Sequence, residues 1–160
     1  KQRAYLINHF LDQFKGTVYR QTMFAEFELA MGKMAENGEA LTADALCRKY
    51  HELNKLYFGP DMISDDQIAL EWARIPHFFY NYYVFQYATG FSAAVALADR
   101  ILREGEPAVA DYKRFLSGGS STDPISLLKL AGVDMSTPAP VDAALSMFGE
   151  LVDELDALTR

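Results

Sequence analysis

Apolar residues return every three or four positions along almost the whole chain, and the strict alternation that marks a half-buried strand is absent. This pattern predicts an all-α fold, a single multi-helix domain of about seven or eight helices over residues 1–160. The first helix is expected over Lys1–Phe14, stopped by Gly16. The second is expected over Val18–Asn37, with Phe24, Phe27, Leu29, Met31 and Met34 on a broad buried face and Asn37-Gly38 as its stop. Thr42 is placed to cap a third helix, Ala43–Phe58, which Gly59-Pro60 follows. Ser64-Asp65-Asp66-Gln67 reads as a capping box with Ser64 at the cap, opening a fourth helix that runs to Arg74. Pro76 removes a backbone donor and breaks or kinks the chain. A fifth helix, the longest, continues from there to Glu104. Pro107 falls in the first turn of a sixth, which ends at Ser117-Gly118-Gly119-Ser120. Asp123-Pro124 caps a short seventh, Ile125–Ala131, ended by Gly132, and Thr137-Pro138-Ala139-Pro140 leads into the last, Val141–Leu158. No internal repeat or domain linker interrupts this order, and the one long flexible candidate is Leu116–Asp123, rich in Gly and Ser.

Composition narrows the functional classes. Half of the 160 residues are hydrophobic and 23% are charged, so the chain can bury a sizeable core. A net charge of −7 argues against a nucleic-acid partner, which a basic patch would have to recognise. The single cysteine, Cys47, excludes an internal disulfide framework and fits a reducing, cytoplasmic setting. It sits beside Leu46 on an apolar helix and reads as structural. No cleavable signal sequence is visible. The chain begins at Lys1 with helical pattern almost at once, which reads as the downstream part of something longer. Ile75–Ala98 lacks Asp, Glu, Lys and Arg and reaches the roughly 20 residues a bilayer span needs. It also contains Pro76, His77, Asn81, Gln86, Thr89 and Ser92, so a central helix surrounded by other helices is expected rather than a membrane span.

The segment Ile75–Gly90 is the most unusual in the chain. It holds one histidine, four tyrosines and three phenylalanines, with no formal charge. Buried phenols and imidazoles need partners, so such a cluster suggests polar tips converging on something. On one continuous helix His77, Tyr80, Tyr87 and Phe91 share a face, with Val84 between them and Tyr83 at the margin, while Phe78, Tyr82 and Phe85 fall on another face. Aromatics on both sides imply a helix packed all round. Two readings stand side by side: an aromatic core whose hydroxyls bond to backbone, and imidazole and phenol donors that stabilise negative charge on a reacting carbonyl oxygen. The remaining candidates are weaker. His51-Glu52-Leu53-Asn54-Lys55 begins like the zinc motif His-Glu-x-x-His but has a cation in the second ligand position, and with His9 and His77 distant in sequence no metal site is expected in this chain. The Leu116–Ser120 loop lacks a phosphate-cradle pattern and reads as a connector, with backbone amides that could approach a bound peptide.

Four segments in order carry a family resemblance. Phe14-Lys15-Gly16-Thr17-Val18-Tyr19-Arg20-Gln21-Thr22-Met23-Phe24-Ala25-Glu26-Phe27-Glu28 resembles the segment of oligoendopeptidase F that follows its zinc-binding helices. Ile75-Pro76-His77 through Tyr87-Ala88-Thr89-Gly90 is similar to that family's His/Tyr segment. Phe115–Ser120 and Leu128–Met135 resemble its closing region, so the likeness spans the chain. The family is related to thimet oligopeptidase: cytoplasmic zinc endopeptidases whose helical fold encloses short peptides. The resemblance implies that the chain is the C-terminal lobe of a larger helical metallopeptidase catalytic domain. It implies that His77, Tyr80 and Tyr87 stabilise the tetrahedral oxyanion or align the substrate, with Tyr83 a weaker candidate for substrate binding. The family's zinc is held by His-Glu-x-x-His and a downstream glutamate, none of which is found here. The metal centre is therefore expected upstream in the same polypeptide, with zinc in the full-length enzyme, none on this chain, and no activity for this chain alone. Its partners are then short peptides and the upstream part of the polypeptide, with neither nucleic acid nor membrane. An exposed His77/Tyr80/Tyr87 face would promote self-association of the isolated chain. The competing reading from another class is a non-catalytic helical module that binds a peptide or protein through its aromatic groove.

Overall fold

Seven α-helices and no strands make up the computed structural model, which describes residues 1–160: α1 (Gln2–Phe14), α2 (Arg20–Glu36), α3 (Ala43–Phe58), α4 (Phe85–Glu104), α5 (Glu106–Ser117), α6 (Pro124–Leu130) and α7 (Ala139–Thr159). A π-helical segment, Lys15–Tyr19, joins α1 to α2, and two 3₁₀ segments, Asp66–Arg74 and Pro76–Phe79, lie between α3 and α4. The all-α expectation holds. The chain packs as two compact units, Lys15–Ala88 on the one hand and Lys1–Phe14 with Thr89–Arg160 on the other. No helix is long and apolar enough to cross a membrane.

The unit Lys15–Ala88 is built on rings. Met23, Phe24 and Phe27 of α2 bury against Leu46, Tyr50 and Leu53 of α3, and Ile75 and Val84 complete this core. Phe27 meets the Tyr50 ring edge-on at 5.2 Å, and Phe78 packs on both Phe24 (5.4 Å) and Phe27 (5.2 Å). Leu29, expected on the buried face, is exposed. It lies roughly 200° round the helix from Phe27, and the buried position next to Phe27 is taken by Glu28 instead. Beneath the rings, Glu71 accepts hydrogen bonds from Tyr50 Oη and Arg20 Nη2, each at 2.6 Å, and also pairs with Arg74. Trp72 Nε1–H donates to Cys47 Sγ at 3.4 Å.

The other unit uses smaller side chains. Ala93, Leu97, Ala131 and Val133 form its core, with Tyr112, Phe115, Leu128 and Met135 against them. Phe14 of α1 packs on Phe91 of α4 and Phe148 of α7 at 5.4 and 4.8 Å. Arg100 bonds Asp111, Glu104 and the Ala131 carbonyl. That guanidinium occupies the space a side chain at Gly132 would need, at a φ of +76°. An apolar hollow of about 900 Å³ lies between α4, α5 and the loop before α6, lined in part by Ala93, Leu97, Phe115, Leu116, Leu127 and Leu128.

Local signals explain most helix ends. Thr42 accepts from the Ala45 amide and Asp123 from the Ser126 amide, satisfying amides with no partner inside the helix. Three expectations fail. Gly16 is no stop, because it does not adopt the positive φ of a capping glycine and the chain passes through it as part of the π-helical segment. Ser64 is not the cap of the next segment: its hydroxyl donates to Asn54 Oδ1 at 2.7 Å, and Asp65 caps instead, accepting from the amides of Gln67 and Ile68. The long helix from Pro76 to Glu104 is broken between Phe79 and Phe85, where Asn81 and Tyr82 take left-handed φ values of 51° and 61°.

Candidate functional site

That break builds the candidate site. Pro76 opens a single 3₁₀ turn ending at Phe79, whose neighbour Phe78 is held among the rings of Phe24 and Phe27. Val84, fully buried, fixes the far side of the loop. Between these two anchors the chain reverses instead of coiling, so helical spacing no longer decides which side chains meet. The rings of His77, Tyr80, Tyr83 and Tyr87 come together. His77 stacks on Tyr83 with centroids 5.6 Å apart and planes 8° from parallel, and it meets Tyr80 and Tyr87 edge-on at 5.9 and 5.6 Å. Tyr83 in turn meets Tyr80 and Tyr87 edge-on at 6.0 and 5.5 Å.

The polar tips form a chain. Tyr87 Oη lies 3.1 Å from His77 Nε2, and its hydroxyl reaches Tyr83 Oη at 3.5 Å. A single hydroxyl hydrogen serves both contacts if His77 Nε2–H donates to Tyr87 and Tyr87 O–H donates to Tyr83, which assigns the Nε2-protonated tautomer or the imidazolium. The last contact is longer than the roughly 2.7–2.8 Å of a well-formed O–H···O bond, so the tips are loosely tied. The Tyr83 contact, with a smaller contribution from lost hydration, holds the Tyr87 phenol above its ordinary pKa. It therefore stays a protonated donor at neutral pH. The Tyr80 side chain, 59% exposed, makes no hydrogen bond within the chain, although its amide donates to the His77 carbonyl at 3.1 Å.

The arrangement differs from the one helical spacing predicts. His77, Tyr80 and Tyr87 do converge, yet not on a helical face. Tyr83, expected at the margin, is at the centre. Phe91 is not a member and packs on Phe10 and Phe14. The segment is not packed all round, because Phe79, Tyr80, Tyr82, Tyr83, Phe85 and Tyr87 are all exposed. Three of the four converging residues, Tyr80, Tyr83 and Tyr87, are thus exposed rather than packed in a core, and His77 is half-buried.

The other candidates stay apart. His9 meets Gln13, and His51 lies 3.1 Å from the Ser64 carbonyl. No three His, Cys, Asp or Glu side chains converge to hold a metal. The 900 Å³ hollow, although it borders Leu116, Gly119 and Ser120, is lined by no acid, base or nucleophile beyond a few hydroxyls. One residue the sequence reading missed is Glu28, nine-tenths buried on α2, whose Oε1 accepts the Tyr82 amide at 2.7 Å. A glutamate beside Phe24 and Phe27 on an apolar face was the available signal.

The pattern of peptidase family M3 matches residues 1–147. The chain belongs to that family. Within it, the chain is 58% identical over 158 residues to oligopeptidase PepF of Bacillus subtilis, covering 99% of this chain and 24% of that protein. It is 44% identical over 160 residues to the plasmid oligoendopeptidase F of Lactococcus lactis subsp. cremoris, covering 100% of this chain and 27% of that protein. The crystal structure of oligoendopeptidase-F from Enterococcus faecium superposes with a TM-score of 0.95 at 51% identity, over 98% of this chain and 30% of that one. The resemblance drawn from the four sequence segments is therefore borne out, and this M3 chain corresponds to a fraction of a larger helical protein.

Proposed function

We propose that this chain is the C-terminal portion of the catalytic domain of a zinc-dependent, cytoplasmic oligoendopeptidase that hydrolyses short peptides. In this reading His77, Tyr80 and Tyr87 stabilise the transition state and Tyr83 aligns the substrate. The observation that carries it is the convergence of an imidazole and three phenols on one exposed loop, linked from His77 Nε2 through Tyr87 Oη to Tyr83 Oη. The family membership and the length of the relatives support the assignment to a larger peptidase. No three His, Cys, Asp or Glu side chains of this chain converge, and its three histidines lie against Gln13, the Ser64 carbonyl and Tyr87. Zinc in this proposal belongs to the upstream part of the polypeptide.

When a peptide carbonyl becomes tetrahedral, negative charge develops on its oxygen, and donors already in place lower that barrier most. Tyr80 O–H has no competing acceptor within the chain. Tyr87 O–H is held protonated and is only loosely engaged with Tyr83, so it can turn to an oxyanion. Where His77 Nε2 carries the proton, its donation to Tyr87 Oη strengthens Tyr87 as a donor. Tyr83 stacks on the His77 ring and fixes its plane.

The test is Tyr87→Phe and His77→Ala in the whole polypeptide that carries this chain, with steady-state hydrolysis of a short peptide. Each variant is expected to lower kcat by roughly 10²–10³, the effect of one lost oxyanion donor, with little change in KM. An unchanged kcat in both would remove the cluster from catalysis and favour a peptide-binding surface without chemistry.

A further inference from the structure

We infer that Glu28 is a positioning residue that latches the reversed loop and so sets the aim of the His77/Tyr87 cluster; this rests on the oxyanion reading above. Two consecutive non-glycine residues in the left-handed region, Asn81 and Tyr82, are strained. Something must hold them there. Among the amides of Asn81, Tyr82, Tyr83 and Val84, only that of Tyr82 makes a hydrogen bond, and it is the one to Glu28 Oε1 at 2.7 Å. A carboxylate acceptor makes this bond charge-assisted and stronger than an ordinary one. Glu28 forms no ion pair that would draw it away.

Packing does not replace the latch. A hollow of about 390 Å³ borders Glu28, Gly32, Asn81 and Tyr82, so the underside of the loop is incompletely filled. The second support is Gly32, one turn along α2 from Glu28. A Cβ there would fall 2.1 Å from Tyr82 Oη, so the bare glycine lets the Tyr82 ring lie against the helix. Glu28 thus holds the backbone of Tyr82 and Gly32 admits its ring. Tyr83, which follows this pinned residue, and Tyr80, two positions before it, are both members of the cluster.

Three variants of the whole polypeptide test this, read by peptide hydrolysis and by backbone hydrogen exchange of fragments spanning Tyr80–Val84. Glu28→Ala is expected to speed exchange by roughly tenfold to a hundredfold, the scale of one lost charge-assisted hydrogen bond. It should lower kcat by roughly tenfold or more through misaimed donors, with KM within about twofold. Glu28→Gln keeps an oxygen acceptor and should recover most of both losses. Gly32→Ala displaces the Tyr82 ring while supplying a better helix former, so it should move exchange and kcat the same way without harming the fold. Unchanged exchange in Glu28→Ala and Gly32→Ala would overturn the inference. So would faster exchange with kcat intact while Tyr87→Phe remains slow, because the cluster would then work without the latch. A Tyr87→Phe variant as fast as the parent would instead overturn the oxyanion reading and, with it, the role assigned to the latch.

Discussion

Two polar clusters in the unit Lys15–Ala88 are built on opposite terms. Around Glu71, a carboxylate 7% exposed receives Tyr50 and Arg20 at 2.6 Å, with Arg74 alongside. The buried carboxylate faces two guanidinium groups and each buried polar atom is partnered, as the cost of burying an unpaired charge demands. Around His77 there is no formal counter-charge, the tyrosine rings are exposed while His77 is half-buried, the Tyr87–Tyr83 contact is long at 3.5 Å, and the Tyr80 hydroxyl has no partner within the chain. A closed network holds the fold, whereas in the proposed function the open one meets a substrate. A tyrosine in the first is spent on its neighbour, and in the second it is held in reserve.

The contrast is broken most directly by removing one member of each cluster and measuring stability. Glu71→Ala strands the Tyr50 hydroxyl and the Arg20 guanidinium below the aromatic core. It should cost about 3–5 kcal/mol, the usual result of breaking a buried ion pair from one side, read as a lower midpoint in chemical denaturation. Tyr87→Phe removes only an exposed hydroxyl and should stay within about 0.5 kcal/mol of the parent. Comparable losses from the two variants would make the His77 cluster a structural element, and the division between closed and open networks would fall.

How far the sequence foretold these clusters follows from where the determining contacts lie. Caps were legible because their partners are adjacent: Thr42 finds Ala45, and Asp123 finds Ser126. Ser64 was misread because a distant acceptor, Asn54, claims its hydroxyl. The break at Asn81–Tyr82 was invisible for the same reason, since its determinants, Glu28 and Gly32, sit on α2. The aromatic composition of Ile75–Gly90 pointed to the segment where the rings converge, and the family resemblance named His77, Tyr80, Tyr83 and Tyr87. Helical periodicity then placed Phe91 among them and moved Tyr83 aside, because a period applies only while the helix is unbroken. The Glu71 network was not foreseen at all: its members come from α2, α3 and the 3₁₀ segment, and nothing local in the sequence pairs Arg20 with Tyr50.

Protonation sharpens the comparison with smaller effects. Burial pushes the Glu71 carboxyl up, but the hydrogen bonds from Arg20 and Tyr50 and the nearby guanidinium charges outweigh it, leaving the group below its ordinary 4.5. Its folded pKa is thus depressed, so its contribution is complete above about 4.5 and is lost as pH falls through the folded value. Tyr50 has the reverse sign. Burial, then the bond to Glu71, raises its phenol above the ordinary 10.0, so its contribution is complete below that value and is lost as pH rises through the raised one. Tyr57, pushed up to about 12 by burial and by its bond to Glu26, adds to the same alkaline arm. Stability against pH should therefore fall at both ends, and Tyr50→Phe should cost about 1.5–3 kcal/mol at neutral pH, the range for a bond to a charged group, while flattening the alkaline arm. An alkaline arm unaltered by Tyr50→Phe would show that the Tyr50–Glu71 bond is not what sets it.

The smallest expected effect concerns what the open cluster does when no substrate or neighbouring segment covers it. Phe79, 75% exposed, stands beside Tyr80 and the other outward rings of the loop. A contiguous apolar surface of this kind favours association. The 160-residue chain alone is therefore expected to self-associate, its weight-average mass by light scattering rising with concentration. Phe79→Ser should weaken that association by about tenfold, equivalent to roughly 1.4 kcal/mol, without touching a hydrogen bond of the His77–Tyr87–Tyr83 chain. Because Phe79 makes no ring contact with the cluster, the same variant in the whole polypeptide should leave kcat unchanged, separating the stickiness of the surface from its chemistry. A parent chain that remains monomeric across concentrations would mean that these rings are exposed without being adhesive, and the openness of the cluster would then rest on its unspent donors alone.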